Sequence, residues 1–162
     1  MSRFAPRSLV ALSIAATALL LSGCSGPSVA MQPAESAGAP ECADVTVRLP
    51  DSVAGLDRRD TNAQATGAWG NPASVLLRCG VPTPGPTSDR CISLNGIDWI
   101  EDASEAPTYR YTTYGRTPAV EVAIDSSVGI SGTTALIDLQ DAVDTLPLTG
   151  ECVGPDDLLE TP

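Results

Sequence analysis

The stretch CISLNGIDWIE, residues 91 to 101, places Asn95-Gly96 between two short apolar runs. Asn-Gly accepts the left-handed backbone of a two-residue hairpin turn, whose twist matches that of the flanking strands. With such a turn Leu94 faces Ile97, Ile92 faces Trp99 and Arg90 faces Glu101. Ile92, Leu94, Ile97 and Trp99 then share one apolar face, so turn chemistry and side-chain alternation specify the same register. A hairpin needs further strands or a helix over that face to be stable. The chain is therefore committed to an antiparallel sheet.

Other segments supply the partners. In ASVLLRC, residues 73 to 79, Val75, Leu77 and Cys79 alternate onto one side. GVPTPGPTSDR reads as a loop by composition. Strands are expected over Thr108–Tyr114 and Ala119–Asp125, the second with Val120, Val122 and Ile124 aligned. In TTALIDLQDAVDTLP, Leu136, Leu139, Val143 and Leu146 recur at helical spacing, with Asp138, Asp141 and Asp144 opposite, and Pro147 ends the run. CADVTVRLPDSV fits either a strand, through Val45, Val47 and Leu49, or a short helix stopped before Pro50. The sum is an α+β domain over residues 42–152, an antiparallel sheet of about four to five strands with one or two packing helices.

The N-terminal segment gives an address. Arg3 and Arg7 precede an apolar run from Leu9 to Leu21 that is 13 residues long. A membrane span needs about 20, whereas a secretory signal fits. The run ends Leu21-Ser22-Gly23-Cys24, which resembles the bacterial lipobox. That resemblance implies removal of residues 1–23, lipidation of Cys24 and a membrane partner through this anchor. Two acyl chains would hold such a protein stably where one would be marginal. Residues 24–41, rich in Ser, Ala, Gly and Pro, are expected to form a flexible tether with an r.m.s. span of roughly 20 to 25 Å. Residues 153–162 form an acidic tail.

Of five cysteines, the anchor leaves four, which in an exported chain read as two disulfides. They would staple a small domain whose only phenylalanine, Phe4, lies in the signal. Loop-closure entropy does not choose the pairing. It gives about 3.8 and 4.3 kcal/mol for Cys42 with Cys79 and Cys91 with Cys152, against about 2.8 and 4.8 for Cys79 with Cys91 and Cys42 with Cys152.

Composition excludes several functions. The chain has 20 acidic residues against nine basic ones, a net charge of −11, and contains no lysine. Nucleic acid, bound through Lys and Arg on phosphates, is not an expected partner. Without His, the Ser-His-Asp and Cys-His nucleophile pairs are unavailable and the usual zinc sites lose their commonest ligand. Without Lys, Ser-Lys hydrolases, Schiff bases and P-loops are excluded. No cofactor is expected, and no metal-site motif is present.

The densest acidic group is Asp98, Glu101, Asp102 and Glu105. Two such carboxylates could serve a glycosidase, and oxygen ligands could hold Ca²⁺, but neither motif is present. A solvated loop with an Arg90–Glu101 pair accounts for the group. Trp99, Tyr109 and Tyr111 read as core. Trp69, among the turn residues of TGAWGN, reads as an exposed contact for a ligand or partner. Arg58 and Arg59 lie between Asp57 and Asp60 as surface pairs. Arg78 and Arg116, in or beside strands, are candidates either to pair with Asp98 or to hold a ligand carboxylate.

Taken in order, a Cys before LP and GLDRR, then AWGNPASVLLRCGVP, NGIDW and TTYGRTPAVEV resemble an actinobacterial family of secreted or membrane-anchored envelope proteins of unknown function (DUF 3515). The likeness runs from about Cys42 to Val143. It implies that Cys42 pairs with Cys79, leaving Cys91 with Cys152 as an added bridge, and that Ala43–Leu49 is helical. It implies no reaction. The first expectation is a non-catalytic, lipid-tethered module that binds an envelope protein or glycan. The alternatives are a carboxylate-dependent enzyme on envelope glycan, using Asp98, Glu101 or Asp102, and a solute- or ion-binding lipoprotein feeding a transporter.

Overall fold

The computed structural model describes residues 27–153. The signal segment, Cys24 and the tail beyond Val153 lie outside the described residues. Among them are helix α1 (Pro40–Val47), strands β1 (Ser52–Val53), β2 (Leu56–Arg59), β3 (Thr66–Trp69), β4 (Val75–Val81), β5 (Cys91–Leu94), β6 (Ile97–Asp102), β7 (Thr108–Tyr114) and β8 (Ala119–Asp125), a 3₁₀ turn at Ser126–Val128, and helices α2 (Gly132–Asp138) and α3 (Gln140–Val143). The strands form one antiparallel sheet in the order β1-β2-β3-β4-β8-β7-β6-β5. Two four-stranded meanders thus meet along β4 and β8.

The expected sheet of four to five strands is corrected to eight. The expected count omitted β1, β2 and β3, which are two to four residues long. They lack the alternation that marks a half-buried strand, and all four residues of β3 are buried. Gly67 in β3 lies under the ring of Trp69, where a Cβ would stand 2.6 Å from Cη2.

The longer strands follow their alternation. Cys79, Leu77 and Val75 pair across the seam with Val120, Val122 and Ile124, and all six are fully buried. The hairpin has the register its turn dictates, Ile92 opposite Trp99 and Leu94 opposite Ile97, with Asn95 and Gly96 at φ of 51° and 82°. Asn95 Nδ2 donates to Gln140 Oε1 at 2.8 Å, docking this turn on α3.

The helices fill the inside of the sheet. Proline opens α1, which buries Cys42 and Val45; Pro lacks the N–H that a first helical turn would leave unpaired. Ser131 caps α2 by accepting from Thr134 N at 3.3 Å. The helical run expected after Thr133 is broken at Leu139 into α2 and α3, yet Leu136, Leu139, Val143 and Leu146 are all buried. Both edge strands, β1 and β5, touch α2. The sheet therefore curls around the helices, and Ala54 N donates to Asp138 Oδ2 at 2.8 Å across the closing gap.

Two disulfides fasten this arrangement. Cys42 is joined to Cys79, holding α1 on β4 with Cα atoms 5.5 Å apart. Cys91 is joined to Cys152, holding the C-terminal segment on β5 at 6.5 Å.

The tether expected over residues 24–41 is corrected from Pro27 onward. Val29 bridges Thr61, Val29 N donates to Asp60 O at 2.7 Å and Ser36 N to Gly80 O at 2.9 Å, and Met31 N donates to Asn62 Oδ1 at 2.8 Å. Ala37 is buried. Gly80, at φ 98°, lets the backbone of Ser36 and Ala37 approach where a Cβ would collide. A segment without apolar periodicity docks here through backbone hydrogen bonds, which leave no side-chain pattern.

Candidate functional site

Three of the expected contact residues prove structural. Trp69, expected to be exposed, is fully buried on β3, and its Nε1 donates to Pro50 O at 3.0 Å. The surrounding turn residues form the β3–β4 connection while the indole turns inward, a choice made by packing rather than local composition. Arg78 does not meet Asp98. It pairs across the seam with Glu121, Nη2 to Oε1 at 2.6 Å. Arg110 extends the row, 3.7 Å from Glu121 and 2.8 Å from Glu105. The hydrogen bond that Arg110 donates to Glu105 raises the Arg110 pKa further above its usual range, against burial.

Arg116 is only 4% exposed. Its Nη1 donates to Leu146 O at 2.7 Å and Asp144 O at 3.3 Å, and its Nη2 to Asp144 Oδ1 at 2.9 Å and Gly96 O at 3.3 Å. It ties the end of α3 to the hairpin turn, and its Nη donors are committed to these carbonyls and to Asp144 instead of a ligand carboxylate.

The acidic group divides between the two faces of the sheet. Along β6, Asp98 and Asp102 point outward, whereas Glu101 lies on the face of Trp99 and contacts Arg90 at 3.4 Å. Asp102 accepts from Ser104 N at 2.9 Å; hydrogen bonds from the Ser104 side chain and backbone hold its carboxyl below the ordinary carboxylate range. Asp98 accepts from Ser93 Oγ and from Cys152 N at 2.6 Å. It is an anchor for the C-terminal segment. Cys91 Sγ, Cys152 Sγ and an Asp98 oxygen lie within 4.8 Å of one another, but both sulfurs are spent in the disulfide, so only one carboxylate faces any cation.

This anchoring shapes a cavity of about 590 Å³ on the outer face of the sheet. Its floor is Ile100, Tyr114, Cys91 and Ser93, neighbours on β5, β6 and β7. One wall is the loop carrying Pro86, Thr87, Ser88 and Asp89, the other Cys152 and Val153. The loop is held where it leaves β4, since Thr83 Oγ1 lies 3.3 Å from Arg116 O and 3.1 Å from Thr117 Oγ1. At the other end Gly115, at φ 64°, lets the chain at Gly150 pass so closely that a Cβ would overlap its backbone. A smaller groove of about 230 Å³ adjoins, lined by Ser93, Gly96, Asp98, Leu148, Glu151 and Cys152.

Of the expected contact residues only Asp98 stands at this site, as a support. Ser88, Asp89 and Ile100 were not singled out by the sequence. The available signal was the second bridge, because joining Cys91 to Cys152 must bring the loop before one beside the tail after the other.

The architecture is that of an α+β domain, an antiparallel sheet curled over short helices and stapled by two disulfides, with a small-molecule-sized cavity on its outer face. The chain matches the family described as "Protein of unknown function (DUF3515)" over residues 5–149 and belongs to it. Cys152 and Val153, the second cavity wall, lie beyond the matched span. No curated protein and no solved structure matches the chain.

Proposed function

We propose that the protein is a lipid-anchored, extracytoplasmic binding module that holds an envelope component in the cavity between residues 86–89 and 152–153. The observation that carries this reading is the cavity itself, whose volume falls within the range of about 300–1,000 Å³ usual for ligand sites. The Cys152–Val153 wall is fixed by a disulfide and by the Asp98 clamp, and the facing loop is held at its two ends, at Thr83 and at Cys91. The lipobox-like Leu21–Cys24 supports the address. Because the chain docks from Pro27 onward, where Pro27 O accepts from Arg59 Nη2, a lipid on Cys24 would stand three residues from the domain, within about 10 Å. The module would therefore work against the membrane surface.

The glycan-cleaving alternative gains nothing from the geometry. Glu101 is on the opposite face from Asp98 and Asp102, and each of the three is engaged by Arg90, by Ser93 and Cys152, or by Ser104. Among the described residues only one carboxylate, Asp89, lines the main cavity.

A photoreactive residue in place of Ser88, irradiated on intact cells, should yield a discrete adduct recovered with the membrane fraction. The same residue in place of exposed Asp44 on α1 should not. Equal labelling from both positions would remove the cavity as the binding site. Cys24→Ser should move the protein out of the membrane fraction; unchanged fractionation would remove the lipid anchor.

A further inference from the structure

The cavity presents a chemistry narrow enough to name a ligand class. Among the described residues, Asp89 is the only charged side chain in its lining, and no cation lines it. The nearest arginine in sequence, Arg90, turns to Glu101 on the other face. An anionic ligand would meet a carboxylate in a protein of net charge −11 with nothing to neutralise it. Phosphates, carboxylates and acidic headgroups are thereby disfavoured.

The polar groups that remain are mostly hydroxyls. Thr87, Ser88, Ser93 and Tyr114 line the cavity. Ser93 Oγ is engaged with Asp98, and Thr87 Oγ1 accepts from Asp89 N at 3.1 Å while keeping its own proton to donate. The side chains of Ser88, Asp89 and Tyr114 have no hydrogen-bond partner among the described residues. Hydroxyls both donate and accept, and an ionised carboxylate accepts two donors side by side. Beside them Pro86, Ile100, Val153 and the Cys91–Cys152 bridge form apolar walls and floor, with the half-buried Tyr114 ring at one side.

Adjacent hydroxyls along one edge and a C–H face on the other are the complement of this lining, and an uncharged pyranoside has both. We infer that the cavity takes a short stretch of neutral glycan, with Asp89 accepting from two neighbouring sugar hydroxyls, Ser88 and Tyr114 bonding to the next, and one ring lying against Ile100. This inference rests on the cavity being the binding site. An extended peptide is the rival occupant, and its backbone would have to pair along β5, whose free edge is four residues long.

The test is calorimetric titration of the full-length chain, in a detergent without a sugar headgroup, with four probes of similar length: cellotetraose, maltotetraose, tetragalacturonate and an uncharged Ser-Gly tetrapeptide. A neutral tetrasaccharide should bind saturably and tetragalacturonate should not. Asp89→Asn should weaken that binding about tenfold, since hydrogen bonds to a charged acceptor are roughly twice as strong as neutral ones. Tyr114→Phe should weaken it less, and Val47→Ser on the far side of the domain should leave it unchanged. Binding of tetragalacturonate or of the peptide in place of the neutral sugars would overturn the ligand class while leaving the cavity as the site. Failure of all four probes would also overturn it, and the cross-linking from position 88 then reports separately whether the cavity binds anything.

Discussion

Replacing Arg116 with Met tests whether this residue works as an ion-pair partner or as a bracket for backbone carbonyls. The two roles give different magnitudes. Met fills most of the volume and removes the buried Nε, which has no partner among the described residues. It leaves Leu146 O without its 2.7 Å donor in a buried position, and Asp144 O and Gly96 O without theirs at 3.3 Å. An unsatisfied buried carbonyl costs about 1–3 kcal/mol, while the two partly buried ones recover water at smaller cost. The expected loss is about 3 kcal/mol, which for a domain of this size is about 11 °C in Tm. Asp144→Ala, by contrast, leaves the three carbonyls paired and removes a carboxylate that is 66% exposed, so even with the buried guanidinium left to those carbonyls it should cost about half as much or less. Urea unfolding followed by circular dichroism, with the slope m unchanged between variants, measures both. If Asp144→Ala proves as damaging as Arg116→Met, or if Arg116→Met is within about 1 kcal/mol of the parent, the bracketing argument fails.

The disulfides should separate under graded reduction. Cys42 and Cys79 are fully buried, whereas Cys91 and Cys152 are part-exposed. Mild reductant followed by alkylation and peptide mapping should label Cys91 and Cys152 first, and early label at Cys42 or Cys79 would contradict the burial argument. Acid should destabilise the fold below the ordinary carboxylate pKa of about 3.9. Hydrogen bonds from Ser127 hold Asp125 low, as those from Ser104 hold Asp102 low. The unfolded chain then takes up these protons first, so each contribution is present above the unfolded value and is lost as pH falls through the folded one. Asp125→Asn should flatten the acid limb of a stability-against-pH curve, losing stability near neutrality and little at the acid end. An acid limb identical to that of the parent would refute the role of Asp125.

Much of the domain is legible locally. The Asn95-Gly96 turn and the alternation of Ile92, Leu94, Ile97 and Trp99 carry both the hairpin and its register, because turn type and pleat act over a few residues. Val120, Val122 and Ile124 mark a strand in the same way, and Leu136, Leu139, Val143 and Leu146 mark the helical layer. The lack of His and Lys likewise excludes whole reaction classes from composition alone.

Tertiary structure decided what such patterns do not encode. Trp69 in TGAWGN points inward because Pro50 O and the space over Gly67 receive it, a contact between segments about 20 residues apart. Residues 27–39 pack onto the domain through backbone hydrogen bonds to Asp60 and Gly80. Asp98, conspicuous as an acid, is an anchor because Cys152 N reaches it from 54 residues away. The cavity exists because a proline-rich loop and a C-terminal strand of chain are pinned on either side of β5. Periodicity and turn chemistry depend on neighbours along the chain, whereas a concave surface depends on which distant segments meet, and that is set only when the whole core closes.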